Sequence, residues 1–149
     1  MKLTQKYSAG LAIIYNKNVL LGHTTGRKGS HSYGISKGGI HEGESKRDAA
    51  LRETFEEFGI NVPVNLIQPH EFNFSVISKR YGYNKTVYYY IVEINDLKQI
   101  GLSGYDVPRS QLQLEEVDIA KFVDYKHAMQ LVMKSQIPLI TNLLSKGLI

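Results

Sequence analysis

RETFEEFGI runs from Arg52 to Ile60 and sets three glutamates, Glu53, Glu56 and Glu57, close together in a chain whose formal charge is +4. On a helix at about 100° per residue, with Glu53 at the origin, Glu57 falls near 40° and Glu56 near −60°. Leu51, Thr54, Phe55 and Phe58 fall between about 100° and 200°, which predicts an inward apolar face opposite a face of carboxylates. Two readings are open. One is the solvated side of an amphipathic helix. The other is a site for a hard divalent cation, which would relieve repulsion of a few tenths of a kcal/mol per like-charged pair. Lys46 and Arg47 lie too far along the helix to neutralise the cluster. Arg52, at about −100°, neighbours Glu56 and satisfies only part of it.

The residues before the helix bear on the choice. SKGGIHEGE, Ser36 to Glu44, is a lysine-bearing glycine loop leading into a helix N-terminus. Ser45 is a good N-cap, with Asp48 three residues on in the manner of a capping box. Gly59 is placed as the C-terminal stop. A glycine loop beside clustered carboxylates points to metal-assisted phosphate chemistry. The P-loop and EF-hand patterns are both absent.

Working outward, Ser8–Asn16 reads as a buried strand, Asn16-Lys17-Asn18 as a turn and Val19–Gly22 as the returning strand. His23–Gly39 reads as a polar, glycine-rich loop. Val62–Ile67 reads as a short strand confined to an edge by Pro63. Phe72–Arg80 and Lys85–Ile94 read as a β-hairpin turning at Tyr81-Gly82-Tyr83-Asn84. Residues 95–110 read as a loop and Val117–Val123 as a short strand. Tyr125–Lys134 reads as an amphipathic helix, and Ser135 as the cap of a last helix with Pro138 in its first turn. Mixed strands and helices with hairpins give an α/β or α+β fold with a mixed sheet, in one domain spanning residues 1–149.

Composition narrows the class. Hydrophobic residues make up 42% and charged residues 21%, as in soluble globular proteins. With no cysteine, disulfides, Cys-based zinc sites and cysteine nucleophiles are excluded. The five histidines show no H-x-x-x-H spacing, and no G-x-S-x-G elbow occurs. MKLTQKYSAG lacks the apolar run of a signal peptide, and no stretch approaches the roughly 18 apolar residues of a membrane helix. The expectation is a cytoplasmic protein, a monomer or homodimer, with no membrane partner. The positive balance suits a polyanionic ligand such as a nucleotide or an RNA 5′ end. Ten tyrosines and no tryptophan make Tyr the candidate for stacking on a base, with Tyr33, Tyr81 and Tyr83 nearest the polar loops and turn.

Gly38, Glu44, Arg52, Glu53, Thr54, Glu56, Glu57, Gly59 and Ile60 reproduce the spacing G-x5-E-x7-R-E-U-x-E-E-x-G-U, with U a bulky apolar residue. This resembles the box of the Nudix hydrolase family. Thr54 departs from the pattern at a U position, and its hydroxyl needs a partner. Ser36 stands where many members have proline before Lys-Gly-Gly.

The resemblance implies an α/β/α sandwich with a mixed sheet between helices. It also implies hydrolysis, with Mg²⁺ or Mn²⁺, of a nucleoside diphosphate linked to another moiety. By position, Gly38, Glu53, Glu56 and Glu57 would hold metal, with Glu53 a ligand or the base that orients water. Glu44 and Arg52 would form an ion pair fixing the helix. Glu115 or Glu116 is the local candidate for a general base on a later loop. Lys37, Arg27 and Lys85 are the candidates for substrate phosphates, and Tyr81 for the substrate base. Lys85-Thr86-Val87-Tyr88 is similar to a strand of the dinucleoside-polyphosphate branch, whereas markers of the NADH and ADP-ribose branches are absent. A dinucleoside polyphosphate is therefore the first expectation and an RNA 5′ end the second. A non-catalytic nucleotide-sensing module is the rival reading.

Overall fold

The computed structural model describes residues 2–149. Its centre is β1 (Thr4–Tyr15), which pairs antiparallel with β2 (Asn18–Thr24) across a tight turn at Asn16 and Lys17. Both turn residues have positive φ, 49° and 63°, the backbone hand that matches the strands' own twist. On its other side β1 runs parallel to β6 (Tyr83–Ile94) along its whole length, from Thr4↔Tyr83 to Tyr15↔Ile94. β6 in turn pairs antiparallel with β5 (Ile67–Ser78).

His23–Gly39 is more ordered than the loop expected from its composition. It contains β3 (Tyr33–Gly34), paired with β2, and β4 (Lys37–Gly39), paired with β1. β7 (Val117–Val123) pairs with β2. The result is a mixed sheet with the path β3-β2-β1-β6-β5.

Because successive side chains alternate faces, β1 feeds two cores. Leu11 and Ile13 pack with Ala49, Ala50 and Phe58 of α1 (Lys46–Phe58). Ala12 and Ile14 pack with Ala128 of α2 (Tyr125–Leu131) and with Leu139, Ile140 and Leu143 of α3 (Ile137–Ser145). The α/β/α sandwich is thus realised with β1 buried on both faces, which explains its apolar run.

Several boundaries differ from those read in the sequence. The segment after Pro63 is a 3-10 turn at Val64–Leu66, and the strand begins at Ile67. Tyr83 and Asn84 belong to β6, because the parallel pairing with β1 extends to them. Two further 3-10 turns, Leu97–Ile100 and Arg109–Gln111, lie within residues 95–111. α2 stops at Leu131 because Val132 turns extended and bridges Tyr33, while the Met133 N–H donates to the Tyr33 carbonyl. Ser135 sits inside a 3-10 turn and caps nothing; α3 opens at Ile137 with Pro138 in its first turn.

Candidate active site

α1 is fixed at both ends. Ser45 Oγ accepts the Asp48 N–H at 3.0 Å. Gly59 adopts the left-handed conformation at φ 66°, and its N–H donates to the Phe55 carbonyl at 2.8 Å. A Cβ at Gly59 would collide with the backbone of Gln111. Held this way, the helix buries Ala49, Ala50, Thr54 and Phe58 against the sheet. Phe55, expected to face inward, is 51% exposed, because the helix rests on the sheet along a narrower stripe than the helical angle predicts.

Arg52 is the hub of the carboxylates. Its Nε donates to Glu44 Oε2 at 2.8 Å and its Nη2 to Glu44 Oε1 at 3.0 Å. Nη2 also reaches the Gly39 carbonyl at 2.7 Å. Nη1 reaches Glu53 Oε1 at 2.8 Å and Glu56 Oε2 at 3.2 Å. Glu44 further accepts the His41 N–H at 3.0 Å. The Arg52 bonds first, and then this N–H, hold the Glu44 carboxyl down to about 2. Glu44, in return, strengthens the charged form of Arg52. One guanidinium therefore clips the glycine loop to the helix and orients two of its three glutamates.

Glu57 is the one left over. It is half-buried and is pushed up to about 8, first by burial and then by the charges of Glu53 and Glu116. Lys37 and the Ser36 hydroxyl oppose that shift. Glu57 lines a hollow of about 360 Å³ together with Thr24, Lys37, Glu115, Glu116 and Met133. Glu53 lies against the backbone of Gly38, where a Cβ would run into its carboxylate. Repelling carboxylates with too few cations between them are the all-oxygen donor chemistry that Mg²⁺ or Mn²⁺ takes, so the residues present fit such an ion in kind. Among the described residues, no three acidic or histidine side chains converge on one point. Glu56 is turned toward Arg52, with 47% of its side chain exposed.

A second hollow, about 240 Å³, adjoins the first through Lys37 and Met133. Phe74, Tyr83, Lys85, Val87 and Tyr89 contribute to its wall. Lys85 is brought down to about 8, first by burial and then by the like charge of Lys37. A third hollow, lined by Arg27, Lys28, His31 and Lys134, meets the other two at Met133.

The sheet therefore gathers Lys37, Gly38, Glu53, Glu57, Glu115 and Glu116 around one end of the molecule. Lys85 is one hollow away, and Arg27 lies across Met133. Tyr81 is not brought in. It is 70% exposed at the hairpin tip, under the Arg80 guanidinium, and borders none of these hollows. Tyr33 has no free face: it is buried edge-on to His23, whose Nδ1 lies 2.6 Å from Asp118.

Sequence reasoning missed two residues. Met133 joins the hollows, and nothing in its neighbourhood marks it. Gln136 is buried; its Oε1 accepts the Ile35 N–H at 2.7 Å, and its Nε2 donates to the Ile35 carbonyl and the Tyr89 hydroxyl, both at 3.1 Å. The one signal for it is a polar amide immediately before the apolar run Ile137–Ile140.

Comparison with known proteins bears on the fold and the family. No curated protein matches the sequence. Among solved structures, a C. elegans Ap4A hydrolase binary complex is similar at 21% identity and a TM-score of 0.69, over 95% of this chain and 97% of that one. A MutT NUDIX hydrolase from Burkholderia pseudomallei is similar at 16% identity and 0.69, over 93% and 97%. A bifunctional NMN adenylyltransferase/ADP ribose pyrophosphatase from Francisella tularensis, complexed with AMP and a Mn ion, is similar at 14% identity and 0.69, over 97% of this chain and 42% of that one. At these identities the likeness is one of fold. The NUDIX domain model matches residues 4–140, so the chain belongs to the Nudix family and is a Nudix pyrophosphohydrolase.

Proposed function

We propose that the chain cleaves a phosphoanhydride bond in a nucleoside diphosphate linked to another moiety, with a dinucleoside polyphosphate as substrate. The observation that carries this reading is the junction of two hollows of opposite character at Lys37. On one side stand Glu57, Glu115 and Glu116; on the other stands Lys85, with Phe74 and Tyr83. A half-buried amine beside a second amine has no carboxylate ion-pair partner among the described residues, and a polyphosphate chain lying from one hollow into the other would supply the counter-charge. Tyr83, rather than the exposed Tyr81, lines that end and offers a base the ring face not covered by the Lys6 ammonium.

Glu53, Glu56, Glu57 and the Gly38 carbonyl are the proposed holders of Mg²⁺ or Mn²⁺. The chemistry such an ion supplies when bound is charge neutralisation on the anhydride and activation of water. Arg52 and Glu44 orient the carboxylates. Lys37 and Lys85 bind phosphate, and Glu115 or Glu116, in the lining of the hollow, takes the water's proton.

The hollow of Arg27, Lys28 and Lys134 favours the second reading, an RNA 5′ end, because a longer polyanion would continue into it past Met133. A sensing module without catalysis has less support, since Glu53, Glu56 and Glu57 are all retained.

The test is product identification by mass. The protein is incubated with Mg²⁺ and a panel of diadenosine polyphosphates, ADP-ribose, NADH, nucleoside triphosphates and 5′-triphosphorylated RNA, with Glu56→Gln alongside. Cleavage of the diadenosine polyphosphates, lost in the variant, is the expected result. Cleavage confined to RNA would move the assignment to the second reading. Binding without cleavage, unchanged in Glu56→Gln, would overturn both.

A further inference from the structure

β2 and β7 pair regularly from Val19↔Val123 to His23↔Ile119, and then the ladder skips a residue: Thr24 faces Val117. Asp118 is left over, a β-bulge in the strand that leads out of the loop carrying Glu115 and Glu116. The bulge reverses the alternation of side chains. Val117 packs in the same core as Phe58, Ala120 and Phe122, although Val117 and Ala120 are three residues apart and would face opposite ways in a regular strand. It also moves the loop. In a regular ladder Thr24 would face Asp118 and Thr25 would face Val117. Here the Thr25 N–H donates to the Glu116 carbonyl at 2.9 Å. The loop is thus displaced along β2 by one residue, about 3.4 Å.

Two further bonds tie the loop down. Thr25 Oγ1 donates to the Leu114 carbonyl at 2.9 Å, and the Gln113 N–H donates to the Glu57 carbonyl of α1 at 3.1 Å. Glu115 and Glu116 line the first hollow from this tethered segment.

Asp118 is fastened by both its side chain and its backbone. Its carboxylate accepts the His23 Nδ1–H at 2.6 Å, and its carbonyl accepts from Arg109 Nη1 at 3.1 Å. A carboxylate has no hydrogen to give, so Nδ1 carries it. His23 stands at the skip itself. Alternation along β2 turns its neighbours Gly22 and Thr24 toward the hollow and His23 away from it, so His23 acts on the chemistry only through the strand.

We infer that His23 and Asp118 are positioning residues for the reaction: their bond holds the β-bulge whose register sets Glu115 and Glu116 at the hollow. The inference rests on the reading of one of those glutamates as the group that takes the water's proton.

The experiment compares wild type, His23→Phe, Asp118→Ala, the double variant and Asp118→Asn, with Glu115→Gln and Glu116→Gln alongside. Steady-state kinetics use the member of the product-assay panel that the wild type cleaves, at saturating Mg²⁺. Calorimetry reads the binding of Mn²⁺ alone, hydrogen exchange of the Thr25 amide reads the register without substrate, and melting temperatures follow the fold. His23→Phe and Asp118→Ala are each expected to lower kcat about 10-fold, the effect of a misplaced reacting group. KM and Mn²⁺ affinity are expected to stay within about twofold, while exchange at Thr25 quickens. The double variant is expected to lose no more than either single one, because each removes the same bond. Asp118→Asn keeps an oxygen acceptor for His23 and is expected to stay within about threefold of wild type. Unchanged kcat in His23→Phe and Asp118→Ala, with kcat lowered in Glu115→Gln or Glu116→Gln, would overturn the positioning role and leave the base assignment standing. Losses in kcat, KM and Mn²⁺ affinity that all follow the melting temperature would also overturn it, by reducing the pair to packing. Full kcat in both Glu115→Gln and Glu116→Gln, or no cleavage of any panel member, would remove the base assignment and the inference with it.

Discussion

Glu44 and Arg52 meet through both carboxylate oxygens, at 2.8 and 3.0 Å, and this pair fastens the glycine loop to the helix that carries Glu53, Glu56 and Glu57. Its acid sensitivity follows from the sign of the shift. Folding lowers the Glu44 carboxyl from 4.5 to about 2, so the unfolded chain binds more protons between those values. The contribution is fully present above about pH 5 and is lost as pH falls through 4.5 toward 2. Unfolding free energies from urea denaturation of wild type and Glu44→Gln are expected to differ by about 1–2 kcal/mol at pH 7 and to approach each other as pH falls toward 2.

Gly38 admits the Glu53 carboxylate against its backbone. In Gly38→Ala that carboxylate must shift, disturbing its 2.8 Å bond to Arg52. The end of a flexible side chain moves at little cost to the fold. The melting temperature is expected to fall by no more than a few degrees. Activity toward the substrate identified by the product assay is expected to fall about 100-fold, the scale of a misplaced reacting group.

Lys85 and Lys37 share one hollow, and Lys85 titrates near 8. Below that pH it is charged and attracts phosphate; above it the attraction fades. The pH profile of kcat/KM, which reports free-enzyme groups, is expected to decline above about 8 in the wild type. Lys85→Met is expected to raise KM about 10-fold with little change in kcat and to lack that decline.

Gln136 satisfies both backbone groups of Ile35 and the Tyr89 hydroxyl. Gln136→Ala would leave three buried polar groups without their partner and open a cavity. A loss of roughly 3–5 kcal/mol in chemical denaturation is expected. Because Ile35 directly precedes Ser36 and Lys37, metal affinity is expected to weaken as well.

Much of this site follows from the order of residues alone. The helix from Lys46 to Phe58, its Ser45 and Gly59 caps and the three glutamates off its apolar face all depend on separations of a few helical turns, whereas the Glu44–Arg52 pair was implied by the family resemblance. Over that distance backbone geometry places side chains predictably. The pairing of β1 with β2 was legible for the same reason, since a short polar turn joins two apolar runs.

What only the tertiary structure decided depends on residues far apart in the chain. Helical angles put Glu53, Glu56 and Glu57 on one face as equals. The sheet and the loop bearing Glu115 and Glu116 half-bury Glu57 in the hollow, whereas Glu56 stays at the surface. Lys85 reaches Lys37 because both lie on strands paired with β1: Lys6↔Lys85 in the parallel pair and Gly10↔Lys37 in the antiparallel one. Thr54 finds its hydroxyl partner in Ser36, and Ile35 its clamp in Gln136, across the same packed layers. Strand register and burial set those meetings, and neither is encoded in the local spacing of the residues that meet.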